Sequence, residues 1–145
     1  MKNFITSIQV RWSDIDANFH LRHSVYYDWG ALSRINFFNQ FGFSTVAMQG
    51  LHIGPILFRE ECVFRKEIRL EDKVTIDLRL VKARRDYSRW TIKHTIIKND
   101  DKVSAIITID GAWFNTIERK LAVPPMEAVN LFKKIPLDEG FQWQD

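Results

Sequence analysis

From Phe4 to Trp12 the chain alternates: Phe4, Thr6, Ile8, Val10 and Trp12 fall on one side of an extended backbone, and Ile5, Ser7, Gln9 and Arg11 on the other. That two-residue period predicts a half-buried strand over 4–12. The next ten residues are too polar to continue it, and their Asp, Asn and Ser are residues that end strands and cap helices. "SVYYDWGALSRINFFNQ", residues 24–40, has helical length, with apolar side chains in nearly every direction around the axis. A helix of that kind is expected to be buried. Gly30 costs propensity in mid-helix but would let a sheet approach closely, and "FGF" at 41–43 supplies a stop.

After "GLHIGP" at 50–55 the pattern returns to strands, roughly 56–69, 73–83, 88–98 and 102–115. The inward register is clearest in Val74, Ile76, Leu78 and Leu80, in Trp90, Ile92, His94 and Ile96, and in Val103, Ala105, Ile107 and Ile109. "LEDK" at 70–73 and "KNDDK" at 98–102 read as tight antiparallel reversals, and "RRDYS" at 84–88 as a looser one. "VPPMEAVNLFKK" has prolines fit for a helix start and lysines fit for its end. The predicted architecture is α+β: a five-stranded antiparallel sheet curled around one long central helix, as a single domain over 1–145. Such a sheet leaves edges uncovered, so a homodimer or homotetramer is expected.

Composition narrows the classes. At 145 residues the chain can bury a core without a disulfide or metal staple. The 21 Lys and Arg are nearly balanced by 18 Asp and Glu and are scattered, so nucleic acid is not an expected partner. The single cysteine, Cys62, fits a reducing compartment, and no stretch has the ~20 apolar residues of a membrane span. With no signal-peptide pattern in "MKNFITSIQV", the expected location is the cytoplasm.

The chemistry concentrates in "RWSDIDANFH", residues 11–20, where Asp14, Asp16, Asn18 and His20 precede the helix. Taken alone, loop aspartates of this kind most often cap a turn or a helix. The longer stretch "VRWSDIDANFHLRHSVYYDWGALSRINFF", with its Asp-x-Asp, a histidine four residues after Asp16 and an aromatic-rich helix beyond, resembles the hotdog-fold acyl-CoA thioesterases of the 4-hydroxybenzoyl-CoA thioesterase-like group. The order of strand, helix and strands resembles that family too, as does "IERKLAVPP". Phe19 stands where the family usually has Gly, and Arg22 and His23 replace a frequent pair of asparagines.

The resemblance implies a hotdog fold, acyl-CoA as substrate, and Asp16 as the base or nucleophile of thioester hydrolysis. Such a reaction needs an attacking oxygen and donors where charge develops on the carbonyl. The free backbone N–H groups near His23 and Ser24, at the positive end of the helix, would be those donors. His20, together with Asn18, is expected to shape the loop, and Asp14 to serve it by hydrogen bonding.

Coenzyme A carries phosphates, for which Arg84, Arg85 and Arg89 in "VKARRDYSR" are the candidates. No cofactor is expected. A metal held by Asp14, Asp16, His20 and His23 lacks any recognised ligand spacing. The side chains of His23 and His52 carry no motif and His94 lies on the apolar register of a strand, so all three read as structural, and Cys62 reads as a small strand hydrophobe. Two further readings are open. A hotdog hydratase would use Asp-x-Asn-Pro-x-His, which this chain does not match, and a hotdog domain could bind acyl thioesters without turnover.

Overall fold

The computed structural model describes residues 3–144. Strand β1 (Ile5–Ile8) leads through a single 3₁₀ turn (Trp12–Asp14) to helix α1 (Val25–Gln40), a short helix α2 (Thr45–Leu51) and strand β2 (Ile53–Phe64). Then come β3 (Val74–Asp77), β4 (Arg79–Arg84), β5 (Arg89–Lys98), β6 (Lys102–Asn115), β7 (Lys120–Leu121), helix α3 (Met126–Phe132) and β8 (Leu137–Gln144). In the sheet, β6 lies between β2 and β5, and the far side of β5 is shared by β3 and β4. β1 pairs the outer edge of β3 and β8 that of β4. This is the α+β hotdog architecture, with α1 against the sheet's inner face.

The alternation reads the inward face well. Ile76, Leu78, Ile96, Ala105, Ile107 and Ile109 are all fully buried. β5 and β6 are joined by a turn in which Asn99 and Asp100 both take left-handed φ, as tight hairpin turns require. At the cross-strand pair Trp90↔Gly111 the indole lies over the glycine. A Cβ there would meet both the Trp90 ring and, at 2.7 Å, the Ile56 carbonyl, so only glycine fits.

β3 and β4 are one predicted strand with a break, and the break has a chemical cause. The Asp77 carboxylate accepts the Thr95 amide (2.6 Å) where a ladder carbonyl would, and the Asp77 carbonyl accepts from the His94 ring Nδ1 (2.7 Å). His94 is wholly buried, and its Nε2 accepts from Arg34 Nη1 of α1 (2.9 Å), which makes Nδ1 the protonated nitrogen. Burial, then the charge of Arg34, lowers its pKa to about 3, so this is a neutral structural histidine. Gly30 lets α1 approach: a Cβ would sit 3.5 Å from both His94 and Ile107.

Several expectations are corrected. β1 stops at Ile8 and Trp12 is 70% exposed, because the Arg11–Asp14 turn ends the strand early. α1 is not buried all round: Asp28, Ala31, Leu32, Asn39 and Gln40 face outward, since the sheet covers one side of it. "LEDK" is not a hairpin, because β6, not β3, occupies the place beside β2. The sheet exceeds five antiparallel strands, with β7 short and β8 parallel to β4. Among the described residues, no helix is long and apolar enough to cross a membrane.

Candidate active site

The polar stretch before α1 is a loop built in two tiers. In the lower tier Asp14, 1% exposed, accepts three hydrogen bonds from Arg11: from its amide (2.9 Å) and Nε (3.3 Å) at Oδ2, and from Nη2 (2.9 Å) at Oδ1. Burial alone would raise the Asp14 pKa, but the Arg11 hydrogen bonds and the charges of Arg11 and Arg22 outweigh it and hold the carboxyl below its ordinary range. The Asp14 carbonyl takes the Arg22 amide (2.8 Å), and the Leu21 amide is tied to Ile68 O (2.7 Å). A bridge between Ile15 and Leu21 closes the base.

The upper tier is the turn 16–20. The Asp16 amide donates to His20 O (2.8 Å) and the Phe19 amide to Asp16 O (3.0 Å). Asp16 Oδ1 accepts from the amides of Asn18 (2.8 Å) and His20 (3.2 Å). The other carboxylate oxygen, Oδ2, receives no hydrogen bond from the described residues. The turn needs a left-handed residue at position 19, and Phe19 has φ 65° there, which explains why a glycine suits that place. Its ring is 72% exposed and lines no part of the groove described next.

Asp16, His20, His23 and Tyr26 line a groove of about 270 Å³, whose opposite wall is Phe64, Arg65, Lys66 and Glu67 at the end of β2. Tyr26 and Phe64 meet edge to face at 4.9 Å. Burial, with the charges of Cys62, Glu67 and Asp16, pushes the Tyr26 hydroxyl up to about 12, so it is a hydrogen-bond donor and not an anion at neutral pH. Glu67 is held below the usual carboxylate range by its own amide and by His20. At the helix start Ser24 already has helical φ and ψ, and its side chain does not cap α1 but accepts from Arg22 Nε (3.0 Å). Among the described residues, the amides of His23 and Ser24 find no acceptor.

The structure thus gathers Asp16, His20 and His23 on one groove, with Asn18 supporting Asp16 through its amide and Ser24 at the adjoining helix start. The arginines fall elsewhere. Arg84 and Arg85 line a separate, open groove of about 350 Å³ with Asp86 and Gln144, and Arg85 stacks over Trp143 at 5.0 Å. Arg89 lies over Phe58 at 4.6 Å and is on neither groove. Sequence reasoning misses Phe64, Arg65, Lys66 and Glu67 as groove residues; the signal is the loss of alternation after Phe64, within the strand predicted to run to 69. Among the described residues, no three His, Cys, Asp or Glu side chains are placed to hold a metal ion. Cys62 is half-buried, and burial followed by the nearby Glu60 raises its thiol to about 11, which suits packing and not attack.

Solved structures share this fold. A hypothetical protein of Staphylococcus aureus, solved in complex with CoA, superposes with a TM-score of 0.84 at 19% identity, covering 92% of this chain and 84% of that one. A DHNA-CoA thioesterase of Staphylococcus aureus gives 0.81 at 19% identity, covering 92% and 91%. A 1,4-dihydroxy-2-naphthoyl-CoA thioesterase of Synechocystis gives 0.81 at 14% identity, covering 91% and 96%. No curated protein matches the chain significantly. The sequence profile of the thioesterase-like superfamily matches residues 10–140, nearly the whole chain around the Asp16 loop and the sheet, and the chain belongs to that superfamily.

Proposed function

We propose that the protein is an acyl-CoA thioesterase that hydrolyses an acyl thioester to a carboxylate and free coenzyme A, with Asp16 as base or nucleophile. The observation that carries this is the groove shared by Asp16, one of whose carboxylate oxygens takes no hydrogen bond from the described residues, and His23, whose amide, like that of the adjoining Ser24 at the start of α1, has no acceptor among them. A carbonyl oxygen received by the amides of His23 and Ser24 would gain from the positive end of α1 as negative charge develops on it. Asp16 Oδ1, fixed by Asn18 and His20, would orient Oδ2 toward water or the thioester carbon. Membership of the thioesterase-like superfamily supports the same reaction.

The coenzyme's phosphates would be met by Arg84 and Arg85, and the groove's own Arg65 and Lys66 are nearer cations in the same chain. A homo-oligomer fits the 12-residue β2, whose outer edge is unpaired among the described residues and which exposes Leu57, Phe58, Val63 and Phe64. A second copy on that edge would abut the Asp16 groove, because Phe64 belongs to both. The half-buried free thiol suits a reducing compartment such as the cytoplasm.

The deciding experiment is release of free thiol from a panel of acyl-CoA esters. Turnover on at least one ester is expected. Binding of every ester without thiol release would make the protein an acyl-thioester binder, and conversion of an enoyl ester without thiol would make it a hydratase.

A further inference from the structure

Of the residues that line the groove at Asp16, Leu21 and Tyr26 are buried, and of these two only Tyr26 ends in a polar group. Tyr26 is 3% exposed, its ring held against Phe64 edge to face at 4.9 Å and beside Trp29 at 6.2 Å. Its hydroxyl makes no hydrogen bond with the described residues, yet it is not among their enclosed side-chain atoms without a partner, which are Trp90 Nε1, Ser104 Oγ and Trp113 Nε1. The hydroxyl is therefore open to a cavity, and the cavity that Tyr26 lines is the groove. Ionisation of this oxygen is opposed by Asp16 and by Glu67, which stand on facing walls of the groove, so the hydroxyl is within Coulombic reach of both walls. The other side-chain donors there, His20, His23, Arg65 and Lys66, are more exposed, and water competes for them.

A thioester at this site presents three atoms at which bonding or charge changes. The carbon faces Asp16, and the carbonyl oxygen is met by the amides of His23 and Ser24; the sulfur has no partner in that arrangement. Resting on the thioesterase reading above, we propose that the Tyr26 hydroxyl is a further catalytic group, which donates a hydrogen bond to the thioester sulfur and holds the thiolate as it leaves. An oxygen of Asp16, or of the water it deprotonates, forms the new C–O bond; the C–S bond breaks, and its electron pair goes to sulfur. Tyr26 keeps its own proton, because its hydroxyl ionises only at about 12 whereas an ordinary thiol does so at ~8.5, and the departed thiolate is protonated by solvent. A neutral thioester sulfur is a weak acceptor and a thiolate a charged one, so this hydrogen bond strengthens toward the transition state.

Tyr26→Phe removes the hydroxyl and keeps the ring against Phe64, so the thermal midpoint should move little. With the acyl group hydrolysed best, kcat on the coenzyme A ester should fall ~10- to 100-fold, the range for a hydrogen bond to a charged partner, and kcat on the thiophenol ester, whose thiolate is the more stable, less than about threefold. 3-Fluorotyrosine at position 26, a stronger donor of nearly the same size, should act in the opposite sense and raise kcat on the coenzyme A ester relative to the thiophenol ester. Equal effects on the two esters in either variant overturn the proposal. Contact with sulfur is read without turnover from binding of coenzyme A and of desulfo-coenzyme A, in which hydrogen replaces the thiol, at pH ~9, above the ordinary thiol value. The parent should prefer coenzyme A at least about tenfold and Tyr26→Phe less than about threefold. A preference absent from the parent, or one that survives in the variant, overturns the proposal as well. The expected preferences in a parent that releases no thiol from any ester refute the thioesterase reading alone and leave the contact of Tyr26 with sulfur standing.

Discussion

Two polar clusters touch α1, one under its middle and one at its start, and they differ in what they leave over. Under the middle, the His94 and Asp77 atoms are matched: Nδ1 with Asp77 O, Nε2 with Arg34, the Asp77 carboxylate with Thr95 and Arg79. At the start, the lower tier is matched in the same way, Asp14 with Arg11, but the upper tier keeps one oxygen of Asp16 unspent, and the helix start beyond it the amides of His23 and Ser24. Folding alone accounts for the first cluster, since a buried polar group must be paired. Unpaired groups at a groove are what a substrate would satisfy, and on that ground the second cluster is read as the site and the first as structure.

If the contrast holds, breaking the matched cluster should damage stability far more than turnover. His94→Leu strands Arg34 Nη1 and the Asp77 carbonyl in the core and should cost about 2–4 kcal/mol, read by denaturant unfolding. The same histidine gives a pH signature. Its folded pKa, about 3, lies below the unfolded value of 6.5, so between those values the unfolded chain binds the extra proton and stability falls as pH falls. Unfolding free energy should therefore drop by up to ~1.4 kcal/mol per pH unit below pH 6.5 from this group, and His94→Leu should flatten that slope. A parent slope unchanged by the substitution would place the titrating group elsewhere.

Much of this was legible in advance, for physical reasons that can be named. The inward face of β5, including His94, follows from alternation because side chains on a strand change face at every residue. Helix α1 is evident from its length and stop signal, but its outward face is not, since Leu32 is apolar whether or not anything covers it. α2 was missed although Ser44 caps it by accepting from the Ala47 amide (3.2 Å), an ordinary helix-start signal in a stretch otherwise read as connection. β8 was not legible because its parallel pairing with β4 depends on the whole preceding chain. At the site, Asp16 stands out only through the resemblance of its loop to the hotdog thioesterases, since the residues alone read as a cap. Arg65, Lys66 and Glu67 were not, because nothing local says that the end of β2 comes to face that loop.

The smallest expected effect sharpens the contrast within the loop itself. Phe19 occupies a left-handed position at a strain of ~1–2 kcal/mol, and Phe19→Gly relieves it while giving the unfolded chain more freedom, so the net gain should stay within about 1 kcal/mol. The thermal midpoint should rise by a few degrees at most, with kcat within threefold of the parent. A tenfold change in kcat would mean that the Phe19 ring, exposed in the single chain, takes part in the site.

The most direct measurement compares thiol release by the parent and by Asp16→Asn on the best acyl-CoA, alongside their thermal midpoints. Asparagine keeps the oxygen that the Asn18 and His20 amides reach but can neither deprotonate water nor form an anhydride. With Asp16 as base or nucleophile, kcat should fall ~10²–10⁴-fold or more while the midpoint moves by only a few degrees. Turnover within a few-fold of the parent, with or without a loss of stability, would contradict the account and leave Asp16 as a loop cap.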